Sequence, residues 1–368
     1  MRNARAAVVE GPGSPFTVQE VELDGPREHE VLVRMVATGL CHTDLGVRAG
    51  GIPFPLPGVL GHEGAGVVEE VGAGVDGLVP GTPVVASFTS CGRCDNCVAG
   101  RPARCRTWVP DNLLTGVRDD GSSAIRRAGV PVGSHFFGQS ALCSHAVMDE
   151  RSVVLVPVDV DLRYVAPLGC SGVTGFGSVR NVLRVTAGSS LAVLGTGAVG
   201  LFAVVAARLA GADPLIAVDI VPERLDLARE LGATHTVNPD QENLGARLAA
   251  ITGPRGLANA FDTTAVPGVM RAALDTLGTG GTLAFCGAPP PGTELCVDVQ
   301  AMLVGKRIVG ITMGDADPHR LVPQLTELYA RGELPLERLV RHYPLADVEQ
   351  AASDMHHGVT VKPVVVFG

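Results

Sequence analysis

The sequence predicts an α/β chain of two parts: an irregular, mostly β domain and a doubly wound parallel sheet. Three observations carry this reading. Short β segments punctuated by glycine and proline fill the chain from Arg5 to about Pro157. Strands then alternate with helical stretches, as parallel sheets require. Between the first such strand and its helix stands a glycine fingerprint.

At 368 residues the chain is long enough for about two domains, each with its own core. With 46% hydrophobic and 18% charged residues it reads as globular rather than disordered. No apolar run reaches the roughly 18 residues that span a bilayer. Met1 to Val9 reads as a strand-like start and not a signal peptide, since no long apolar stretch follows Arg5. A cytoplasmic location is the expectation. The net charge of −9, without a basic block, argues against nucleic acid as a partner, because phosphate binding needs clustered Lys and Arg.

In the first part, Val31–Val36, Ala65–Val71 and Pro83–Ser87 read as strands, with turns at Gly50–Gly51 and Pro55–Gly58. The pattern changes near Leu162. Ser190–Gly195 reads as a buried strand, Val199–Ala210 as a helix, Pro214–Asp219 as a second strand and Glu223–Leu231 as a second helix. Ala258–Asp262 and Thr282–Cys286 are further strands. A helix at Pro318–Arg331 and a strand at Pro363–Phe367 suggest a return to the first domain. The expected division is therefore 1–160 with 313–368, and 161–312.

Gly195-Thr-Gly197-Ala-Val199-Gly200 follows the apolar strand Leu191–Leu194 and opens a helix. Gly195 permits the tight turn, Gly197 lets a pyrophosphate approach the backbone, and Gly200 allows close helix–strand packing. The helix N-terminus presents free N–H groups to the phosphates. Asp219, ending the second strand, is placed to accept both ribose hydroxyls and to repel a 2′-phosphate, which favours NAD over NADP.

The nine cysteines are Cys41, Cys91, Cys94, Cys97, Cys105, Cys143, Cys170, Cys286 and Cys296. An odd number, with four crowded between positions 91 and 105, suits metal binding better than disulfides. Cys91, Cys94, Cys97 and Cys105 offer four thiolates that can close a tetrahedron around a structural zinc. An iron–sulfur cluster or four free thiols are the alternatives. Elsewhere Cys41, His62 and Cys170 each sit among glycines. One His and two Cys would leave a fourth position open for water or substrate, as catalytic zinc requires. Taken singly, Cys170 reads equally well as a small core residue and His62 as a hydrogen-bonded loop histidine.

What joins these segments is resemblance. Cys41-His-Thr-Asp44, Gly61-His-Glu-Gly-Ala-Gly66, the four-cysteine loop, Gly169-Cys-Ser-Gly-Val-Thr-Gly175 and the fingerprint occur in the order seen in zinc-containing medium-chain alcohol dehydrogenases. The similarity runs through the closing Val361-Lys362-Pro363. It implies a GroES-like catalytic domain and a Rossmann cofactor domain, two zinc ions per subunit, NAD(H), and a homodimer or homotetramer. By the same resemblance Cys41, His62 and Cys170 hold the catalytic zinc. Glu63 is the nearby carboxylate that approaches the metal, Asp44 fixes the His62 tautomer, and Thr43 takes the substrate's proton. His42 and Lys362 match positions that meet the pyrophosphate, Arg224 one near the adenosine ribose, and Thr174 and Val199 further cofactor positions.

Many family members continue the proton relay to a histidine a few residues on. Here Leu45-Gly46-Val47-Arg48 has none. That gap, Leu56-Pro-Gly-Val-Leu60, His135-Phe-Phe-Gly-Gln-Ser140 and Gly314-Asp-Ala-Asp-Pro318 are similar to the aryl (benzyl) alcohol dehydrogenase branch. The branch implies that Phe88, Phe136 and Phe137 line a substrate pocket for benzylic, allylic or terpenoid alcohols; ordinary core packing is the other reading of those rings. The competing functions are a reductase of an aldehyde or activated double bond, a thiol-adduct formaldehyde dehydrogenase, and a zinc ribbon for nucleic acid. Net charge and the fingerprint oppose the last.

Overall fold

The computed structural model describes every residue from Met1 to Gly368, in two compact units. The first comprises Met1–Cys170 and Asp317–Gly368, and the second Ser171–Ala316.

In the first unit, Arg2–Val9 and Phe16–Leu23 form the centre of an antiparallel five-stranded sheet. A seven-stranded sheet is built around Glu30–Gly39. One edge of this strand pairs with Gly64–Val71. Its other edge pairs first with His145–Asp149 and then, at Ala37–Gly39, with the C-terminal strand Lys362–Val366. The strand is apolar enough to be buried: Val31, Val33 and Met35 join Val68, Val84, Ala146 and Met148 in one core. Each of these valine and methionine side chains contributes about 1.5–3 kcal/mol on burial. The register has a functional consequence, because it lays Lys362 beside the end of the strand that leads into Cys41.

The same strand starts on a buried charge. Glu30 accepts from Arg118 Nε at 2.7 Å and Arg118 Nη2 at 3.0 Å, from Arg27 N at 2.9 Å, and lies 3.3 Å from His135 Nε2. Burial opposes its charge, but His135, Arg118 and the Arg27 N–H outweigh burial and bring its pKa down to about 2. A depressed carboxylate stabilises the fold above its unfolded pKa of about 4.3, and the contribution is lost as pH falls toward 2. Glu30→Gln is therefore expected to lower the unfolding free energy in urea by about 3 kcal/mol at pH 7. The gap to the parent should shrink between pH 5 and 3; a gap independent of pH would show that the charge is not its source.

The second unit is a six-stranded, wholly parallel sheet in the order His235–Val237, Leu215–Val218, Leu191–Leu194, Leu257–Asp262, Leu277–Phe285, Arg307–Gly310. The order reverses beside Leu191–Leu194, where open α/β sheets bind ligands at the carboxyl ends of their strands. Leu191–Leu194 is fully buried, and Ala192 and Leu194 pack with Ile216, Val218, Ala260 and Leu283. The helices Ala198–Leu209 and Pro222–Glu230 follow the first two strands.

The structure differs from the sequence reading at the boundaries. The first unit extends to Cys170 and the second to Ala316. Segment 161–170 is fastened to the seven-stranded sheet: Ser87 Oγ donates to the Gly169 carbonyl at 2.5 Å, and a Cβ on Gly169 would lie 1.9 Å from the Ala86 carbonyl oxygen. The strands His235–Val237, Arg307–Gly310 and Val340–Pro344 and the helices Leu244–Thr252 and Pro267–Thr276 were not expected. The three strands are short and mix charged or polar residues with apolar ones, so they lack a strong period.

Candidate active site

Cys41 caps the N-terminus of the helix His42–Arg48, directly after the strand Glu30–Gly39. Asp44, in the first turn of that helix, accepts from Cys41 N at 2.9 Å and from Gly61 N at 2.9 Å. Its Oδ1 also lies 3.2 Å from His62 Nδ1. One carboxylate thus joins two segments far apart in sequence. Gly61 has a φ of +89°, and a Cβ there would lie 2.4 Å from Leu142 N, so only glycine delivers His62 to this place. With Cys170 at the end of its own fastened segment, the ligand atoms of Cys41, His62 and Cys170 lie within 4.8 Å of one another.

These donors fit zinc. His62 Nε2 is buried and has no hydrogen-bond partner, and an orphaned buried polar atom costs about 1–3 kcal/mol unless something meets it. The Asp44 carboxylate accepting from Nδ1–H leaves the Nε2 lone pair as the ligand atom. Burial works against a proton on His62, but Asp44 and Cys41 overcome it and raise the pKa to about 10. A metal that takes up Nε2 therefore displaces a proton. Cys41 is held well below the usual thiol range by a hydrogen bond from Cys170, against burial, and with help from His62 and Lys362.

Glu63 and Lys362 lie beside this cluster. Both Glu63 oxygens accept from Lys362 Nζ, at 3.0 and 2.9 Å, and a Cβ on Gly39 would lie 2.0 Å from Glu63 Oε2. Lys362 is 2% exposed, and its third N–H reaches the Leu40 carbonyl at 2.9 Å. All three of its donors are engaged in this arrangement, with Glu63 and the Leu40 carbonyl. Burial opposes its charge, yet Glu63 and Cys41 raise its pKa above the ordinary lysine value. Thr43 is half-buried, with Oγ1 3.8 Å from Cys41 Sγ, and His42 is exposed.

The four remaining metal-type cysteines form a separate cluster. Cys91, Cys94, Cys97 and Cys105 have sulfurs within 4.8 Å of one another, with Cys91–Cys97 at 3.9 Å and Cys94–Cys97 at 3.5 Å. Those spacings bracket the roughly 3.8 Å edge of a tetrahedron with metal–sulfur bonds of about 2.3 Å. Backbone N–H groups of Arg106 and Cys97 bring Cys94 down to about 6, whereas burial and its sulfur neighbours push Cys97 up to about 12.

Aromatic rings wall the His62 side. Phe137 stacks on the imidazole at a centroid distance of 4.4 Å and 22°, and Phe136 meets it edge-on at 5.5 Å. Phe88 lies 6.2 Å from Trp108, which meets Phe137 edge-on at 5.5 Å. Phe54 meets Phe136 at 5.1 Å. Trp108 and Phe54 were missed as wall residues, having no signature beyond being aromatic. Gln139, which the sequence shows only as part of His135–Ser140, hydrogen-bonds through its side chain to the backbone of His62 and Gly64.

In the second unit the fingerprint forms the expected strand–turn–helix. Gly195 has φ +85°, and a Cβ there would lie 2.5 Å from Thr263 Oγ1. A Cβ on Gly200 would lie 1.9 Å from the Gly195 carbonyl oxygen, whereas one on Gly197 would meet nothing within 4 Å. The space over Gly197, at the N-terminus of Ala198–Leu209, suits a phosphate group. Val199 lies in that first helical turn. Asp219 Oδ2 accepts from Thr196 N at 2.7 Å and Thr196 Oγ1 at 2.9 Å, while Oδ1 accepts from Val221 N at 3.0 Å. Arg224 is half-buried with Nε unpartnered, and Thr174 Oγ1 lies 3.9 Å from Met313 Sδ.

Residues 27–158 match the family of alcohol dehydrogenase GroES-like domains, and residues 198–331 match that of zinc-binding dehydrogenases. The chain is 41% identical to a geraniol dehydrogenase of Castellaniella defragrans, over 99% of this chain and 98% of that one. Its fold superposes on the crystal structure of benzyl alcohol dehydrogenase from Acinetobacter calcoaceticus with a TM-score of 0.96, at 40% identity and full coverage of both chains. An alcohol dehydrogenase zinc-binding domain protein from Burkholderia ambifaria gives 0.97 at 46% identity, covering 100% of this chain and 99% of that one. With two cysteine-rich metal sets and a dinucleotide turn in place, the chain belongs to the zinc-dependent medium-chain alcohol dehydrogenases, an oxidoreductase family that works with zinc and NAD(H).

Proposed function

We propose that this enzyme interconverts a primary aromatic, allylic or terpenoid alcohol and its aldehyde, using NAD(H) in preference to NADP(H). The observation that carries the substrate class is the ring of Phe137 stacked on His62, continued by Phe136, Phe88 and Trp108. A wall of this kind favours large apolar carbinols. The geraniol dehydrogenase and benzyl alcohol dehydrogenase relatives support it.

Cys41, His62 and Cys170 would hold the catalytic zinc, and Cys91, Cys94, Cys97 and Cys105 the structural one. When bound, zinc supplies Lewis acidity at the alcohol or carbonyl oxygen, and the dinucleotide accepts or returns the hydride. Asp44 keeps His62 in the tautomer with Nδ1 protonated. Thr43 Oγ1 takes the proton of the alcohol. The aromatic wall excludes water, and Glu63, neutralised by Lys362, leaves the site without an uncompensated carboxylate. The helix N-terminus at Gly197–Val199 would hold the pyrophosphate, Asp219 the ribose hydroxyls, and Arg224 would lie near the adenosine ribose. Thr174 is the further cofactor position of unit two.

None of Leu45, Gly46, Val47 and Arg48 is a histidine that could extend the relay. The proton then leaves Thr43 through water, or another base serves. That gap is also what favours the second reading, a reductase of an aldehyde or activated double bond. Self-association through the edge strand Arg307–Gly310 is supported by the exposed Val299, Leu303 and Val304 just before it. A reducing cytoplasm suits metal-binding thiols, and no helix is long and apolar enough to cross a membrane.

Initial rates with ethanol, benzyl, cinnamyl and geranyl alcohols, and with the aldehydes in reverse, test the proposal. The aromatic and allylic substrates are expected to exceed ethanol in kcat/KM by at least about 10²-fold, a few kcal/mol of extra apolar contact. Equal rates across the panel would overturn the substrate class.

A further inference from the structure

Segment His135–Ser140 has an unusual backbone. His135, Phe137 and Ser140 have φ values of 59°, 53° and 52°, and Gly138 has 71°. Left-handed conformations are unfavourable for side chains other than glycine, so such a turn persists only where its surroundings hold it. Two fasteners are local. Ser140 Oγ donates to the Val59 carbonyl at 2.7 Å and accepts from Phe136 N at 3.0 Å. The His135 ring lies between Ser134 Oγ at 2.9 Å and Glu30 Oε1 at 3.3 Å.

The third fastener reaches the metal ligand. Gln139 is 1% exposed. Its Nε2 donates to the carbonyls of His62, at 3.0 Å, and of Ser87, at 2.8 Å, while its Oε1 accepts from Gly64 N at 3.1 Å. The amide therefore brackets Glu63 and holds the backbone on both sides of it. The turn that supplies this amide also lays Phe137 on the His62 imidazole.

We propose that Gln139 is a positioning residue for the catalytic metal ligand. Its amide locks the His62–Gly64 backbone to the turn carrying Phe136 and Phe137, so that ligand and aromatic wall keep one register. The chemistry is demanding. Two donors and one acceptor are satisfied from a single buried group, and a glutamate would aim a carboxylate at two carbonyl oxygens. The inference rests on the reading of His62 as a zinc ligand.

The test compares the parent, Gln139→Met, Gln139→Glu and Ser140→Ala, with folding checked by circular dichroism. The readouts are the visible bands of cobalt(II) at the catalytic site and the rate of metal release to a chelator. Gln139→Met is expected to shift the bands and release the catalytic metal at least about 10-fold faster, within the 10–100-fold effect typical of groups that orient ligands. Ser140→Ala loosens the same turn without touching the His62 backbone, and its bands should remain parental. Gln139→Glu should share the Gln139→Met defect at pH 9. Relative to the parent at each pH, it should recover toward pH 6, as the protonated carboxyl donates one hydrogen bond. Parental bands and release in Gln139→Met, or equal defects in Gln139→Met and Ser140→Ala, would overturn the proposal. If Gln139→Met does not fold, Gln139→Glu decides, and no recovery at low pH overturns it. A parent that takes cobalt only at the four-cysteine cluster would instead remove the reading of His62, and this inference with it.

Discussion

His62→Ala is expected to lower kcat/KM by at least about 10³-fold and to reduce bound zinc from two ions to one. The size follows from what the imidazole holds in place. A Lewis acid at the reacting oxygen contributes several kcal/mol, and every 1.36 kcal/mol is about tenfold in rate. His62 is the one nitrogen in the cluster, and its Nε2 is aligned by an Asp44 carboxylate that also fixes Cys41 N and Gly61 N. Cys41 and Cys170 alone would leave two sulfurs where the site needs three donors. The four-cysteine cluster is a separate set and should keep its metal in the variant. Metal analysis and initial rates on the same sample check both parts. Retention of both ions in a folded His62→Ala protein would remove His62 from the ligand set.

Asp219→Asn is expected to lower kcat/KM for NAD by about 10²-fold and to narrow the preference over NADP. The carboxylate has two tasks, and the substitution separates them. Asparagine keeps an oxygen to accept from Thr196 N, so the Gly195–Gly197 turn stays formed. It loses the charge that strengthens hydrogen bonds to the ribose hydroxyls, an effect of about 1.5–3 kcal/mol. It also loses the repulsion toward a 2′-phosphate. Rates with both dinucleotides decide the matter. A fall with NAD that leaves the NAD-to-NADP ratio unchanged would show that Asp219 shapes the turn and does not select the cofactor.

Much of this was legible without coordinates, and the reason is local physics. Gly195 and Gly200 announce a strand–turn–helix because only glycine tolerates their close approaches, while Gly197 leaves open space at the helix N-terminus. The cysteines at 91, 94, 97 and 105 are near in sequence, so chain geometry alone brings their sulfurs together. The apolar strand Leu191–Leu194 and the helix after it carry their own period. Less legible were the short strands His235–Val237 and Val340–Pro344, whose pairing depends on a neighbour already being in place.

The side-chain contacts of Lys362 and Gln139 lay beyond sequence reading. Lys362 joins Glu63 because the last strand pairs antiparallel with Glu30–Gly39, a register set by three hundred intervening residues. Gln139 grips His62 because a left-handed turn aims its amide inward. The sequence by itself determined the two-part α/β class, the dinucleotide turn and the four-cysteine cluster, all written in residues close along the chain. Only the tertiary structure decided how Cys41, His62 and Cys170 converge and which charges neutralise one another around them. Those contacts join distant segments, and burial rather than local propensity sets their geometry.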